Sequence, residues 1–207
     1  MNLPNKLTVL RLALTPLFLW AMFSSFPANN TSALVFFCAA GLTDFLDGRI
    51  ARRRHLITNF GILMDPLADK ILTCSAFVAM VERHALAPPP TIHLGALAIC
   101  PKVEAWMVVI IVARELAITG LRLLAASKNV VLAAERYGKH KTISQIVTII
   151  ALLLMDAYSE WGTGAQHLLA PWVPVFAALM LWLTVVLTAS SGLLYLSRNR
   201  ALYLDDM

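Results

Sequence analysis

Six long apolar stretches constrain this chain more than any other feature of its sequence. Each holds about 20 mostly apolar residues, the length that an α-helix needs to cross the hydrocarbon core of a bilayer. The stretches occupy residues 6–26, 33–53, 61–82, 103–126, 140–158 and 172–197. The sequence therefore predicts an all-α integral membrane protein with six transmembrane helices, built as a single domain over residues 1–207.

The low proportion of charged residues agrees with a membrane protein. Only 14% of the residues are charged, against about 25% in soluble domains. A net charge of +5 would suggest nucleic acid in a soluble protein. Here the basic residues lie beside apolar runs, where anionic lipid headgroups explain them. We therefore expect membrane lipids as partners and no nucleic acid.

The basic residues also predict an orientation, because loops on the cytoplasmic side are enriched in lysine and arginine. Twelve of the 17 lysines and arginines lie at the two termini or in the second and fourth connections. The other connections hold only Arg83 and Lys102. Both termini are thus predicted to be cytoplasmic. The first stretch is interpreted as an uncleaved helix rather than a signal peptide, since no small-x-small cleavage site follows it.

Turn-forming residues separate the stretches at 29–32, 88–90 and 162–164. Asparagine, proline and glycine at these positions predict loops. The loop over 86–102 is expected to lie on the non-cytoplasmic side.

Two pairs of aspartates lie where the second and third helices meet the cytoplasmic surface. Asp44 and Asp47 are three residues apart, and Asp65 and Asp69 are four apart, so each pair shares one helical face. The short connection makes the helices antiparallel neighbours, and the four carboxylates can converge. Carboxylates so close together require cations. Mg²⁺ or Mn²⁺ is the expected partner, and two such ions can clamp a phosphoryl group.

Other interpretations of these acids remain open at this point. The aspartates could form helix caps and ion pairs with the arginines of residues 49–54. A divalent-cation transporter would also use buried acids, although its ligands should come from broken helices in two repeats. A membrane prenyltransferase binds diphosphate through aspartates as well. Gly48, Ala51 and Gly61 could admit a ligand to the helix backbone or simply pack helices closely.

The spacing of these residues resembles the signature of the CDP-alcohol phosphatidyltransferase family, DxxDGxxARx8GxxxDxxxD. Its eight fixed positions are all present: Asp44, Asp47, Gly48, Ala51, Arg52, Gly61, Asp65 and Asp69. The resemblance implies six transmembrane helices, a homodimer, two divalent ions and a CDP-linked lipid donor, CDP-diacylglycerol. It also implies that Asp69 is the general base and that the other aspartates are mainly metal ligands.

Further segments resemble bacterial members of that family that use glycerol 3-phosphate as the acceptor alcohol. These segments are residues 1–11, 63–70, 113–116 and 138–142. The resemblance implies a bacterial inner-membrane protein with a cytoplasmic active site. It also implies that the CDP-lipid contacts Asn5, Thr8, Gly48, Ala51, Arg52 and Gly61. Members that use inositol phosphate, serine or phosphatidylglycerol remain the nearest alternative.

An anionic acceptor such as glycerol 3-phosphate needs fixed cations. Arg114 and Arg122 are eight residues apart in the fourth stretch, roughly on one face, and arginine suits bidentate binding of phosphate. Lys139 and Lys141 lie where the fifth helix begins. We expect these four residues to bind the acceptor phosphate, with Glu115 and Thr119 orienting the arginines.

Overall fold

The computed structural model describes residues 3–54, 59–89, 91–94, 97–128 and 137–200. Within these ranges, the side chains at positions 3–4, 45, 47–54, 59–63, 65–66, 92–98 and 137–140 lie outside the described part. All statements below concern the residues and side chains so described.

The described chain is built mainly from long helices, as predicted. Six of them have between 21 and 28 residues, and their ends fall within about four residues of the predicted stretches. The helices are α1 (Leu3–Phe23), α2 (Asn29–Arg54), α3 (Asn59–Leu86), α4 (Ala105–Ser127), α5 (Tyr137–Ala157), the short α6 (Gly162–Leu169) and α7 (Val173–Arg198). At 1.5 Å per residue, each long helix reaches the thickness of a bilayer core.

Three segments are both long and apolar enough to cross a membrane: Asn5–Phe23, Lys141–Leu169 and Val173–Arg198. The chain is therefore a membrane protein by the length and composition of these segments. Helices α2, α3 and α4 are of similar length, and each carries three or more charged residues. Six spans remain a prediction.

The predicted loop over residues 29–32 is wrong, because α2 already begins at Asn29. The Glu160 carboxylate accepts hydrogen bonds from the backbone N–H groups of Asn30 and Thr31, both at 2.9 Å. The first N–H groups of a helix have no partner within it, so a carboxylate from elsewhere in the chain stabilises this early start.

Two further connections contain secondary structure that the sequence did not predict. A 3₁₀ turn (Tyr158–Trp161) leads into α6, which takes in the predicted loop at 162–164. The loop over 86–102 holds an antiparallel pair of short strands, β1 (Ile92–Leu94) and β2 (Leu97–Ile99), with Ile92 opposite Ile99. This ribbon is an exception to the all-α prediction.

The interior of the bundle is divided into an apolar end and a polar end. The apolar core includes Phe18, Phe37, Phe77, Met80 and Leu152, and the rings of Phe18 and Phe37 lie 5.7 Å apart. The buried polar residues, apart from His84, lie toward the other end: Thr8, Arg11, Thr15, Thr43, Thr73, Lys141, Ser144, Gln145, Thr148, Thr184 and Thr188. Buried polar groups in a membrane protein mark a functional cavity.

Candidate active site

Asp44 of α2 forms an ion pair with Arg11 of α1. The Arg11 Nη1 atom lies 2.8 Å from Asp44 Oδ1. The Arg11 side chain is fully buried, whereas that of Asp44 is 47% exposed. Arg11 therefore holds the Asp44 carboxylate at the edge of the polar end of the bundle, where the Asp44 side chain is partly exposed.

Asp69 of α3 lies close enough to Asp44 for the two carboxylates to interact electrostatically. Its charge also interacts with those of Arg11, Lys141 and Lys70. The structure thus brings one aspartate of each predicted pair together across α2 and α3. Asp47 and Asp65 lie on the same two helices, but their side chains are outside the described part.

Four basic residues form what we call the cationic cluster: Lys70 and Lys141, whose charges interact with that of Asp69, and Arg114 and Arg122, whose charges interact with that of Lys70. The Lys70 ammonium group contacts the Thr119 hydroxyl on α4. The Lys141 ammonium group, nearly buried on α5, contacts the Glu115 carboxylate, and Arg114 Nη1 lies 3.3 Å from the same oxygen. The cluster therefore joins α3, α4 and α5 around an excess of positive charge.

Arg122 occupies the exposed edge of the cluster. Its guanidinium carbon lies 6.0 Å from the centre of the Tyr195 ring on α7, a cation–π distance. The guanidinium group thus lies over an aromatic ring, while the Arg122 side chain remains exposed. The exposed guanidinium of Arg122 is therefore accessible to an anion.

Several buried hydrogen-bond donors have no partner among the described residues, and one of them lies on α5 next to the cationic cluster. It is the Nε2 atom of Gln145, one turn beyond Lys141 on α5. Gln145 is only 3% exposed. Leaving a buried donor unsatisfied is costly, which indicates that this group faces a ligand or water.

A family model settles what kind of protein carries this arrangement. The model of CDP-alcohol phosphatidyltransferase matches residues 1–191. The chain belongs to the CDP-alcohol phosphatidyltransferase family.

Three similar bacterial proteins have the same name, CDP-diacylglycerol–glycerol-3-phosphate 3-phosphatidyltransferase. The protein of Bacillus subtilis strain 168 is 38% identical, over 96% of this chain and 95% of its own length. That of Escherichia coli K12 is 30% identical, over 99% and 98%. That of Rickettsia bellii strain RML369-C is 27% identical, over 94% and 93%.

The donor set of the family motif suits the divalent ions that CDP-alcohol phosphatidyltransferases generally use. Carboxylate oxygens are the preferred ligands of Mg²⁺ and Mn²⁺, and Asp44 lies within range of the charge of Asp69. Among the described side chains, no three metal-binding residues cluster. The side chains of Asp47 and Asp65, which complete the motif, lie outside the described part. The oxygen donors of Asp44 and Asp69 are of the kind that Mg²⁺ or Mn²⁺ prefers.

Three site residues were missed or misread from the sequence. Arg11 was counted as a topological charge, yet it is a buried partner of Asp44. Lys70 received no role, although its charge inside an apolar stretch was a signal that could have found it. Gln145 gave no signal, since a single glutamine in an apolar helix is unremarkable in sequence.

Other predicted residues are placed by the structure without being tested. Thr119 contacts Lys70 rather than an arginine, so that detail of the prediction is wrong, whereas Glu115 does contact Arg114. Thr8 is fully buried and Asn5 half-buried on α1. Only the backbone is described at the remaining predicted site residues: Gly48, Ala51, Arg52, Gly61 and Lys139.

Proposed function

We propose that this protein transfers the phosphatidyl group of CDP-diacylglycerol to sn-glycerol 3-phosphate, releasing CMP and forming phosphatidylglycerophosphate. The observation that carries the proposal is the cationic cluster beside Asp69, which suits an acceptor that is itself an anion. The names of the similar bacterial proteins support the same donor and acceptor.

We propose that the four aspartates of the motif hold two divalent ions, either Mg²⁺ or Mn²⁺. Asp44, Asp47, Asp65 and Asp69 would supply the oxygen ligands. Bound there, divalent ions neutralise the diphosphate of the donor and the charge that develops on the departing phosphate. Arg11 keeps the Asp44 carboxylate in place through its ion pair.

The acceptor phosphate is proposed to bind Arg114, Arg122, Lys139 and Lys141. Arg122 is exposed and reaches the incoming anion first. Arg114 and Lys141 share the single carboxylate of Glu115, so their combined charge is only partly neutralised. Lys70 adds a further positive charge next to the base. A neutral acceptor would leave the largely buried charges of Arg114 and Lys141 only partly neutralised by Glu115, which is costly.

The CDP-lipid is proposed to lie against the start of α1 and the facing parts of α2 and α3. Asn5 and Thr8 would contact it from α1. Gly48, Ala51, Arg52 and Gly61 would contact it from the motif. Small residues there permit a close approach of the nucleotide to the helix backbone.

In the proposed reaction, a hydroxyl oxygen of glycerol 3-phosphate attacks the phosphorus that carries the diacylglycerol. The proton of that hydroxyl passes to Asp69. The bond from this phosphorus to the oxygen bridging the two phosphates breaks, and CMP leaves with the electron pair. The protein contributes positioning and charge stabilisation.

The active site is proposed to face the cytoplasm of a bacterial cell, in the inner membrane. Six spans with both termini cytoplasmic would place the polar end of the bundle on that side. The basic residues at the termini and in the second and fourth connections support this orientation. A homodimer is proposed from the family resemblance alone.

The experiment that tests the proposal measures CMP release by purified protein in detergent. We expect release only when CDP-diacylglycerol, glycerol 3-phosphate and Mg²⁺ or Mn²⁺ are all present, and we expect a chelator to abolish it. Full activity after exhaustive removal of metal would refute the metal-binding role of the aspartates. Release that does not depend on glycerol 3-phosphate would refute the transfer.

A further inference from the structure

Four of the five tryptophans of the chain lie at the end of the bundle away from Asp44 and Asp69, which we call the far end. Helices α1 and α5 end there, and α4 and α7 begin there. The four side chains are 43% to 59% exposed, and each lies within three residues of the end of a helix or turn: Trp20, Trp106, Trp161 and Trp172. Tryptophan is enriched at membrane–water interfaces, because its ring is apolar and its N–H group is polar. The far end therefore carries side chains suited to a lipid headgroup region.

A network of charged and polar groups lies at the same end. Arg83, near the end of α3, forms an ion pair with Asp156 of α5, with 3.2 Å between Nε and Oδ2. The Arg83 guanidinium also contacts the side chain of Asn30 at the start of α2. Trp161 Nε1 donates a hydrogen bond to the hydroxyl of Thr31 at 2.8 Å. Because charged groups are costly inside hydrocarbon, this network marks a boundary of the bilayer core.

The rise of an α-helix converts this boundary into a depth for the reacting centre. Asp69 precedes Arg83 by 14 residues on α3, and Asp44 follows Asn30 by 14 residues on α2. At 1.5 Å per residue, each aspartate lies about 21 Å from the network along its helix. The core of a bilayer is about 30 Å thick. The two aspartates therefore lie inside the core, about 9 Å short of its opposite boundary.

We propose that the four far-end tryptophans anchor the protein in the headgroup region of the leaflet remote from the reacting centre, and that this anchor sets the depth of Asp44 and Asp69 below the opposite headgroup plane. The partner is a lipid bilayer interface, whose ester carbonyls accept hydrogen bonds from indole N–H groups. A second copy of the chain would cover one side of the bundle, whereas the four tryptophans come from four different segments. The consequence for turnover rests on the proposed function, but the anchor does not.

Depth-dependent fluorescence quenching tests the anchor directly. Trp182→Phe leaves the four far-end tryptophans as the only indoles of the chain. The full-length variant is reconstituted in dioleoyl phosphatidylcholine vesicles that contain a lipid with a doxyl group either near its headgroup or near the end of its chain. We expect the shallow label to quench at least about twice as strongly as the deep label, and more strongly than iodide in the water. Strongest quenching by the deep label or by iodide would overturn the anchor.

The thickness of the bilayer tests the depth of the reacting centre. The unaltered protein is reconstituted in nanodiscs of dimyristoleoyl, dioleoyl or dierucoyl phosphatidylcholine, and the KM for a dioleoyl donor is measured in each. We expect the KM to rise at least about threefold from the thinnest to the thickest bilayer, because the donor phosphates must descend further and mismatch costs free energy. A KM that is constant or that falls with thickness would contradict the assigned depth.

Removing the anchor should weaken this dependence on thickness. Trp20→Leu, Trp106→Leu and Trp172→Leu are combined, because leucine keeps the apolar surface and lacks the N–H group. Trp161 is retained for its hydrogen bond to α2. The matched control is Trp182→Leu, since Trp182 is 50% exposed but lies ten residues into α7. We expect the rise in KM to shrink by about half or more in the triple variant and to persist in the control.

Equal thickness dependence in the triple variant and the control would contradict the role of the anchor. The quenching experiment decides the location of the tryptophans even if the triple variant does not fold. Failure of the proposed function is distinguishable as well. Absence of CMP release in every bilayer, with the shallow quenching intact, would refute the transfer and leave the anchor standing.

Discussion

At the residue scale, the site shows which charges could be interpreted from sequence and which could not. The motif spacing predicted that the four aspartates converge; among them, the structure shows that Asp44 lies within range of the charge of Asp69. The spacing could not predict that Arg11 pairs with Asp44, because the partner lies 33 positions away on another helix. A basic residue near an N-terminal apolar stretch also fits the positive-inside rule. Only the burial of Arg11 separates the two roles.

Replacing the proposed base should separate chemistry from donor binding. We expect Asp69→Asn to abolish turnover, because an amide cannot take the proton from the acceptor hydroxyl. Binding of CDP-diacylglycerol, measured with labelled donor and the purified variant in detergent, should remain detectable. Glu104→Gln removes a carboxylate from the start of α4 and serves as the control. Turnover of Asp69→Asn close to that of the unaltered protein would assign the base to another residue.

The exposed arginine of the cationic cluster offers a test of the acceptor site. Arg122→Ala removes a charge-assisted contact that is worth about 1.5–3 kcal/mol. The KM for glycerol 3-phosphate should therefore rise roughly 10- to 100-fold if the contact is equal in ground and transition states. The KM for the donor should barely change.

Arg200→Ala, an exposed change near the C-terminal end, is the matched control for Arg122→Ala. Both KM values are measured in detergent at saturating metal, after the variants have been shown to remain folded. A rise confined to the donor KM would place Arg122 on the CDP-lipid instead.

At the scale of elements, the long helices were predictable and their ends were not. Long apolar stretches in the sequence show where a helix can cross a bilayer. The early start of α2 depends on Glu160, 130 positions away. The ribbon of β1 and β2 follows a proline run that indicated only a break in the helix. Long-range capping and local strand pairing leave little trace in composition.

A histidine near the end of α3 links this helix to the start of α4. His84 lies beyond the predicted span at 61–82, and its Nδ1 accepts a hydrogen bond from the Val103 N–H at 3.0 Å. Burial, with the nearby charges of Arg83 and Lys102, lowers the pKa of His84 from 6.5 to about 4. Protonation at Nδ1 would remove the acceptor of that bond. His84 therefore stabilises the fold in its neutral form.

The pH dependence of unfolding follows from this lowered pKa. An unfolded chain protonates His84 near pH 6.5, whereas the folded protein resists protonation until about pH 4. The contribution is complete above pH 6.5 and is lost as the pH falls toward 4, by up to about 3 kcal/mol. We expect the thermal unfolding midpoint in detergent to fall over this interval.

His84→Asn provides the control, because an amide oxygen can accept the Val103 hydrogen bond without titrating in this range. Its unfolding midpoint should depend less on pH than that of the unaltered protein. Glu82, Glu104, Asp156 and Glu160 are shared by both proteins, so their titration cancels in the comparison. Equal pH dependence in the two proteins would show that His84 does not carry the effect.

At the scale of the whole molecule, the division into an apolar and a polar end explains how a lipid enzyme is built. The apolar core fixes the helices at one end, where Phe18, Phe37 and Phe77 pack. At the other end lie buried threonines and the ionic groups Arg11 and Lys141. The charges within the apolar stretches indicate a polar region among the helices, but the sequence could not predict the groove of about 350 Å³ between α4 and α7. That groove depends on how closely two helices approach at Gly192.

The most direct test of the central claim is a competition among acceptor alcohols. Purified protein receives CDP-diacylglycerol and equal concentrations of glycerol 3-phosphate, serine, inositol phosphate and phosphatidylglycerol, and the lipid products are identified by mass spectrometry. We predict phosphatidylglycerophosphate as the dominant product, formed in equal amount to the CMP released. Dominance of a product from another acceptor would contradict the account of the cationic cluster as a site for glycerol 3-phosphate.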